Sequence, residues 1–232
     1  FQSFEYQRAW WKHFGETNPD ANLHIIVVRE DGRVIGIAPL FIEKVRVLGP
    51  ITYTRLAFIG RGISDYLDLL IARGYEDVCV DRIVPCLAEV SRVVDITILE
   101  DVAERSCAHA FLHGLLHKAR LPGSLFISDQ CPRTELRDTW DATLESFQVV
   151  HRKEIRRRRR NLSKNFTVDF ETTSSEADVA RDMDELIDMH QERWTKTGHT
   201  GVFADPRAVA LHREIAPVFF RRGWLFLAFL RV

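Results

Sequence analysis

The chain is predicted to be an α/β protein, a mixed sheet flanked by helices, on three observations. Two β-rich runs, Leu23 to Val28 and Arg33 to Phe41, flank Asp31-Gly32, a dipeptide that tolerates the positive φ angles of a tight hairpin turn. Helical periodicity alternates with short β-like runs along the front half. Asp205-Pro206 is a strong helix start, a capping carboxylate followed by proline at the first helical position.

The elements follow in order. Phe4, Gln7, Trp10, Trp11 and Phe14 recur at helical spacing and predict a short helix ending near Gly15. After the hairpin, a strand is expected over Thr54 to Ile59. Gly60-Arg61-Gly62 breaks it, and β character resumes over Asp65 to Ile71. A helix from about Glu76 to Glu89, with Pro85 inside it, leads to a short strand, Asp95 to Leu99. Another helix, Val102 to Arg120, stops before Pro122-Gly123.

Asp138 or Thr139 then caps one long helix in which Leu144, Phe147, His151, Ile155 and Leu162 share a side. A strand over Phe166 to Thr172 precedes a helix from Ser175 to Lys196. Its stripe of Val179, Met183, Ile187, His190 and Trp194 reads as buried. The helix begun at Asp205 directs Ala208, Leu211, Ile215 and Phe219 inward, is kinked or shortened by Pro217, and gives way at Gly223 to a strand from Leu225. Three regions result: residues 1–137, a basic connecting helix at 138–165, and 166–232.

Composition narrows the function. With 46% hydrophobic residues in 232, the chain can bury a real core. A net charge of −1 argues against a generally basic nucleic-acid binder, so any polyanion site must be local. Cys79, Cys86, Cys107 and Cys131 lack zinc-ribbon spacing and disulfide-scaffold density, which fits a reducing cytoplasm. No apolar run reaches the roughly 20 residues of a membrane span. The start lacks Met and is no signal peptide, and the apolar end, Leu225 to Val232, has no turn or cap after it. The chain is therefore expected to be cut at both ends.

Four features can carry chemistry. His109, His113 and His117 fall at i, i+4 and i+8, but the outer pair lies about 12 Å apart along a helix, too far for one ion, and no metal is assigned. The block from His151 to Lys164 includes Arg156, Arg157, Arg158, Arg159 and Arg160. It is either a solvated helix whose cations pair with the acidic helix carrying Asp178 to Glu192, or an anion-binding ridge for phosphate, CoA, nucleic acid or an anionic glycan. Arg156, Arg157, Arg159 and Arg160 are the anion-binding candidates.

The stretch from Gly60 to Tyr66 is placed like a ligand loop but lacks Rossmann and P-loop residues; Ser64, Asp65 and Tyr66 remain candidates for binding an amine or hydroxyl. His190 and Trp194, one turn apart, are either core packing or a cleft with a proton relay and an aromatic wall. No nucleophile elbow or Ser-His-Asp set is present.

Phe4 through Trp11, the run Asp31-Gly32-Arg33-Val34-Ile35-Gly36-Ile37-Ala38-Pro39-Leu40, and Ser64-Asp65-Tyr66 resemble bacterial acetyltransferase-like proteins linked to cellulose and exopolysaccharide biosynthesis. Lys153 to Leu162, Leu186 to Trp194, Gly201-Val202-Phe203 and Ala216 to Gly223 are similar to the same family in order and spacing. The resemblance covers nearly the whole chain. It implies two GNAT folds related to the Fem aminoacyl transferases, the second incomplete here, and acyl transfer from acetyl-CoA or another acyl-CoA to an amine or hydroxyl of a small molecule or glycan precursor.

It also implies acceptor contacts at Ser64, Asp65, Tyr66, His190, Arg193 and Trp194. The family's Gln/Arg-x-x-Gly-x-Gly/Ala pyrophosphate turn does not match Gly60 to Asp65, so the CoA site is expected mostly downstream of Val232. The alternative function is a non-catalytic anion- or RNA-binding module that uses Arg156 to Arg160.

Overall fold

The computed structural model describes residues 1–109, 112 and 122–232. Helix α1 (Phe4–Trp10) continues as a π turn over Trp11–Gly15, and Ser3 caps it by accepting the Tyr6 N–H. The buried side of α1 is Tyr6, Ala9 and Trp10, while Phe4 of the expected stripe faces solvent. Strands β1 (Ala21–Glu30) and β2 (Arg33–Leu48) form the expected hairpin, with Asp31 at φ 47° and Gly32 at φ 78°. β3 (Ile51–Phe58) pairs antiparallel with β2, whereas β5 (Ile96–Thr97) pairs parallel with β3.

The expected strand over Asp65 to Ile71 shrinks to β4 (Leu70–Ile71), which takes the β2 edge beside Gly36 and Ile37. Glycines at positive φ (Gly60 and Gly62) and Tyr66 at φ 57° curl the preceding residues into a loop, and the Leu67 N–H is held by the Asp101 carbonyl.

Alternation along the strands divides the core between the two faces of this mixed sheet. Ala38, Leu40, Leu56 and Phe58 point to helix α2 (Glu76–Val90), meeting Cys79, Ile83, Val84 and Leu87. Helix α2 runs through Pro85, because the burial of its neighbours outweighs one lost donor. Residues 107–109 and 112 are helical, with Asp68 accepting the N–H groups of Cys107 and Ala108. The expected helix start at Val102 is not observed: residues 102–106 are turn and coil behind Asp101 at φ 60°. Residues 110, 111 and 113–120 of the expected helix, with His113 and His117, lie outside the described residues.

The predicted single helix after Thr139 is two. Helix α3 (Trp140–Ser146) is capped by Thr139, and Phe147 and Gln148 are extended before helix α4 (Val149–Asn165). The Ser146 hydroxyl bonds back to the Thr143 carbonyl and helps close α3 locally, a competition with helix propagation that periodicity does not report. Of the expected stripe only Leu144 is buried; α4 buries nothing.

β6 (Asp169–Thr172) pairs antiparallel with β7 (Ala228–Arg231), covered by α5 (Glu176–Lys196) and α6 (Pro206–Arg221). The predicted strand from Leu225 starts late because Trp224 and Leu225 still donate to the Phe219 carbonyl behind Gly223. Helix α6 passes through Pro217 to Arg221.

Helix α6 is shared between the two sheets. Leu211 and Ile215 pack on the second face of the large sheet with Phe41, Ala57, Tyr6 and Trp10, while Ala216 joins Val179, Met183, Ile187 and Phe229. Pairs along its length hold α1 alongside. Arg207 lies over the Phe14 ring at 4.7 Å, Lys12 and His13 meet Glu214, Phe219 faces Tyr6, and Arg222 meets Glu5. The order of these pairs makes the two helices antiparallel.

The Asp205 carboxylate accepts the Arg207 N–H at 2.9 Å. Asp205→Ala is therefore expected to lower stability by about 1 kcal/mol in urea unfolding, the ordinary loss of an N-cap.

Candidate functional site

The two candidate regions sit at different ends of α6. The loop after β3 places Ser64 in the core, 3% exposed, with its hydroxyl donating to the Tyr6 phenol oxygen at 3.0 Å. Burial pushes the Tyr6 phenol up despite that bond. Asp65 and Tyr66 face solvent, and the Tyr66 carbonyl accepts from the Gln2 amide.

Arg61 is held by Glu100 at 2.7 Å and lies 3.9 Å from Glu43. Burial, together with the charges of Glu100 and Asp65, pushes the nearby Asp101 carboxyl up. A loop whose half-buried guanidinium is already paired with Glu100, and which carries several carboxylates, suits a cation better than a pyrophosphate.

The second region is an aromatic cluster where α5 ends and α6 begins. The Trp194 indole N–H donates to His190 Nε2 at 2.8 Å, and His190 Nδ1 lies 3.2 Å from Gln191 Oε1. Both contacts are satisfied by the neutral imidazole with its proton on Nδ1. The ring meets Phe203 edge-on at 4.9 Å, Phe203 meets His212 at 5.0 Å, and Trp194 meets His199 at 5.8 Å. Gly201 closes the cluster. A Cβ there would press on the end of the Gln191 side chain and lie 2.9 Å from His190 Cε1, so a side chain at this position displaces the groups that hold the imidazole.

Arg193 is exposed beside the cluster, and its guanidinium has no partner among the described residues. The stripe is thus buried at Val179, Met183 and Ile187 but surfaces at His190 and Trp194, which is 38% exposed.

Sequence reasoning named His190, Arg193 and Trp194 as candidates; it quoted Gln191, Gly201 and Phe203 only within family-like motifs, and it missed His199 and His212. The turn made by Gly198 (φ 75°) and the short 3-10 segment Val202–Ala204 bring these back onto α5. Ser64 and the His190 cluster are not brought together. The first contacts Tyr6 opposite Phe219 and the second contacts His212, about 10 Å apart along the α6 axis.

Burial pushes the His212 imidazole below its usual range. Its hydrogen bond to the Ala208 carbonyl works against this, while His190 adds to the lowering. The folded chain therefore keeps His212 neutral where the unfolded chain takes up a proton. The resulting stability is present above about pH 6.5 and lost as pH falls towards the folded value. Urea unfolding from pH 7 to pH 5 is expected to show a steeper loss in the wild type than in His212→Asn, and equal slopes would remove His212 as a cause.

The arginine block lies on α4. Its cations do not pair with the acidic helix. Arg152 and Arg156 meet Glu145, and Arg157 and Arg158 hold the Glu154 carboxyl down at about 2. The acids of α5 instead use Arg181, Arg213, Arg221, Arg231 and Lys196. Helix α4 stands clear of α5, so the α5 acids find partners nearer to hand. Among the described residues no group of three or more His, Cys, Asp or Glu is arranged to hold a metal, and no helix is long and apolar enough to cross a membrane.

Residues 150–232, the span from α4 to β7, match the family model described as an acetyltransferase (GNAT) domain. No curated protein and no solved structure matches the chain.

Proposed function

We propose that the chain is part of an acyltransferase that moves the acyl group of acetyl-CoA, or of another acyl-CoA, to an amine or hydroxyl. The acceptor is a small molecule or a cell-envelope or polysaccharide precursor. The observation that carries this reading is that the acetyltransferase match, residues 150–232, contains the unit bearing the His190 cluster. The same reading takes residues 1–137 as a first GNAT-like domain, 138–165 as a basic connector, and 166–232 as the N-terminal part of a second.

In such a transfer the acceptor nitrogen or oxygen bonds to the thioester carbonyl carbon as the C–S bond breaks. The acceptor's proton goes to a base, and CoA leaves as the thiol. His190 is our candidate base. Its Nδ1–H is steadied by Gln191, and Nε2 becomes available when the Trp194 indole swings away. Trp194 and Phe203 then form apolar walls, and Arg193 meets an anionic group on the acceptor. Asp65 and Tyr66 offer a second, cation-favouring contact at the far end of α6, where the Ser64 hydroxyl positions Tyr6.

The test is release of free CoA thiol from acetyl-CoA by the protein at its natural length, with amine and hydroxyl acceptors compared. Acceptor-dependent release is expected. Failure to bind acetyl-CoA, together with no release for any acceptor, overturns the reading.

A further inference from the structure

Helix α4 begins the acetyltransferase match, yet the acyl-transfer reading gives its cations no chemical task. Eight of the chain's 32 Lys and Arg residues lie between Val149 and Asn165, against one carboxylate. The net charge of −1 therefore hides a strongly cationic element. None of the residues of α4 is buried, so these cations serve no core.

Successive residues turn by about 100°, which gathers Arg152, Arg156, Arg159, Arg160 and Ser163 within about 100° of arc, with Lys164 at its margin. A shallow open groove follows this face, lined by Arg156, Arg159, Arg160, Ser163 and Lys164. The face carries neither a carboxylate nor an aromatic ring. Glu145 engages Arg152 and Arg156 at one end, and Glu154 engages Arg157 and Arg158 on another side. Arg159, Arg160 and Lys164 have no ion-pair partner among the described residues.

We propose that this face of α4 is a docking surface for the phosphate backbone of duplex nucleic acid, held by charge without base readout. An open face has no walls to enclose a small anion, but a polymer gathers several weak contacts along it. From Arg152 to Lys164 the cations extend about 18 Å, with steps of about 5–6 Å between side chains three and four apart. Guanidinium forks suit phosphate oxygens, and each neutralised phosphate releases condensed counterions. The lack of an aromatic platform removes the stacking that holds single strands, which favours a duplex. The scarcity of apolar side chains on the face removes the insertion that anchors a helix in lipid.

The test is fluorescence anisotropy of the whole chain with a labelled mixed-sequence DNA duplex, across a salt series. Binding is expected at about 50 mM salt, with log affinity falling against log salt at a slope of about −3 to −5, for three to five phosphates. Arg159→Gln with Arg160→Gln and Lys164→Gln should weaken binding at least about tenfold and flatten the slope by about 3. Arg157→Gln with Arg158→Gln should leave affinity within about threefold. Arg159→Lys with Arg160→Lys should retain the salt slope, and far-UV circular dichroism checks that each variant folds.

Four results overturn the proposal. They are no binding at low salt, an unchanged triple variant, tighter binding of the isolated strand, or equal affinity for polygalacturonate, which would reassign the face to acidic glycans.

Discussion

Leu211→Ala is expected to lower the unfolding free energy by about 3–5 kcal/mol, the upper part of the range for a buried leucine truncation. Leu211 is 0% exposed and sits between α1 and the second face of the large sheet. Its neighbours are poorly placed to collapse into the space it leaves. Phe41 and Ala57 belong to a hydrogen-bonded ladder, and Trp10 is already stacked on Phe14 at 5.4 Å. A cavity that cannot close keeps its full cost.

Because α6 also lines the smaller core, the loss should be felt by both sheets. The near-UV signal of Trp10 and Trp11 and the far-UV helix signal should therefore shift together in urea. A loss below about 1 kcal/mol, or a tryptophan transition that stays at the wild-type midpoint while the helix signal moves, would show that α6 does not belong to the front core.

This shared helix marks the boundary of what the sequence makes legible. Asp31-Gly32 and Asp205-Pro206 act through their own backbone geometry, so the hairpin and the start of α6 are readable from a few residues. The inward set Ala208, Leu211 and Ile215 is equally readable, because burial imposes a helical period. The period does not say against what those residues are buried, and here one side of α6 completes the sheet built by residues 33–58.

The same limit explains α3 and α4. Leu144, Phe147, Ile155 and Leu162 keep helical phase across a two-residue break, since phase is blind to Phe147 turning extended. At the candidate site, His190 and Trp194 are legible as an i, i+4 pair. Phe203 and His212 join them only through the turn at Gly198, a tertiary event with no local pattern. Ser64 looked like a loop hydroxyl and proves to be the buried partner of Tyr6, a residue 58 positions away.

His190→Gln should reduce kcat/KM for acyl transfer by about 100-fold or more, the usual scale for removing a general base, while stability changes little. Gln keeps an amide near Trp194 and Gln191, so the substitution removes proton transfer more than packing. Trp194→Phe preserves an aromatic wall but deletes the indole donor. It should cost less than His190→Gln, because the base survives.

Gly201→Ala tests the geometry from the other side. The added methyl meets the end of the Gln191 side chain and lies 2.9 Å from the His190 ring, so the amide that steadies Nδ1 is pushed aside and the ring loses part of its support. Activity should fall in step with the altered Trp194 fluorescence, while global unfolding shifts by only about 1–3 kcal/mol, the cost of modest overpacking. If His190→Gln retains more than half the wild-type kcat/KM, His190 is not the base, and the acceptor's proton leaves by another group or through water.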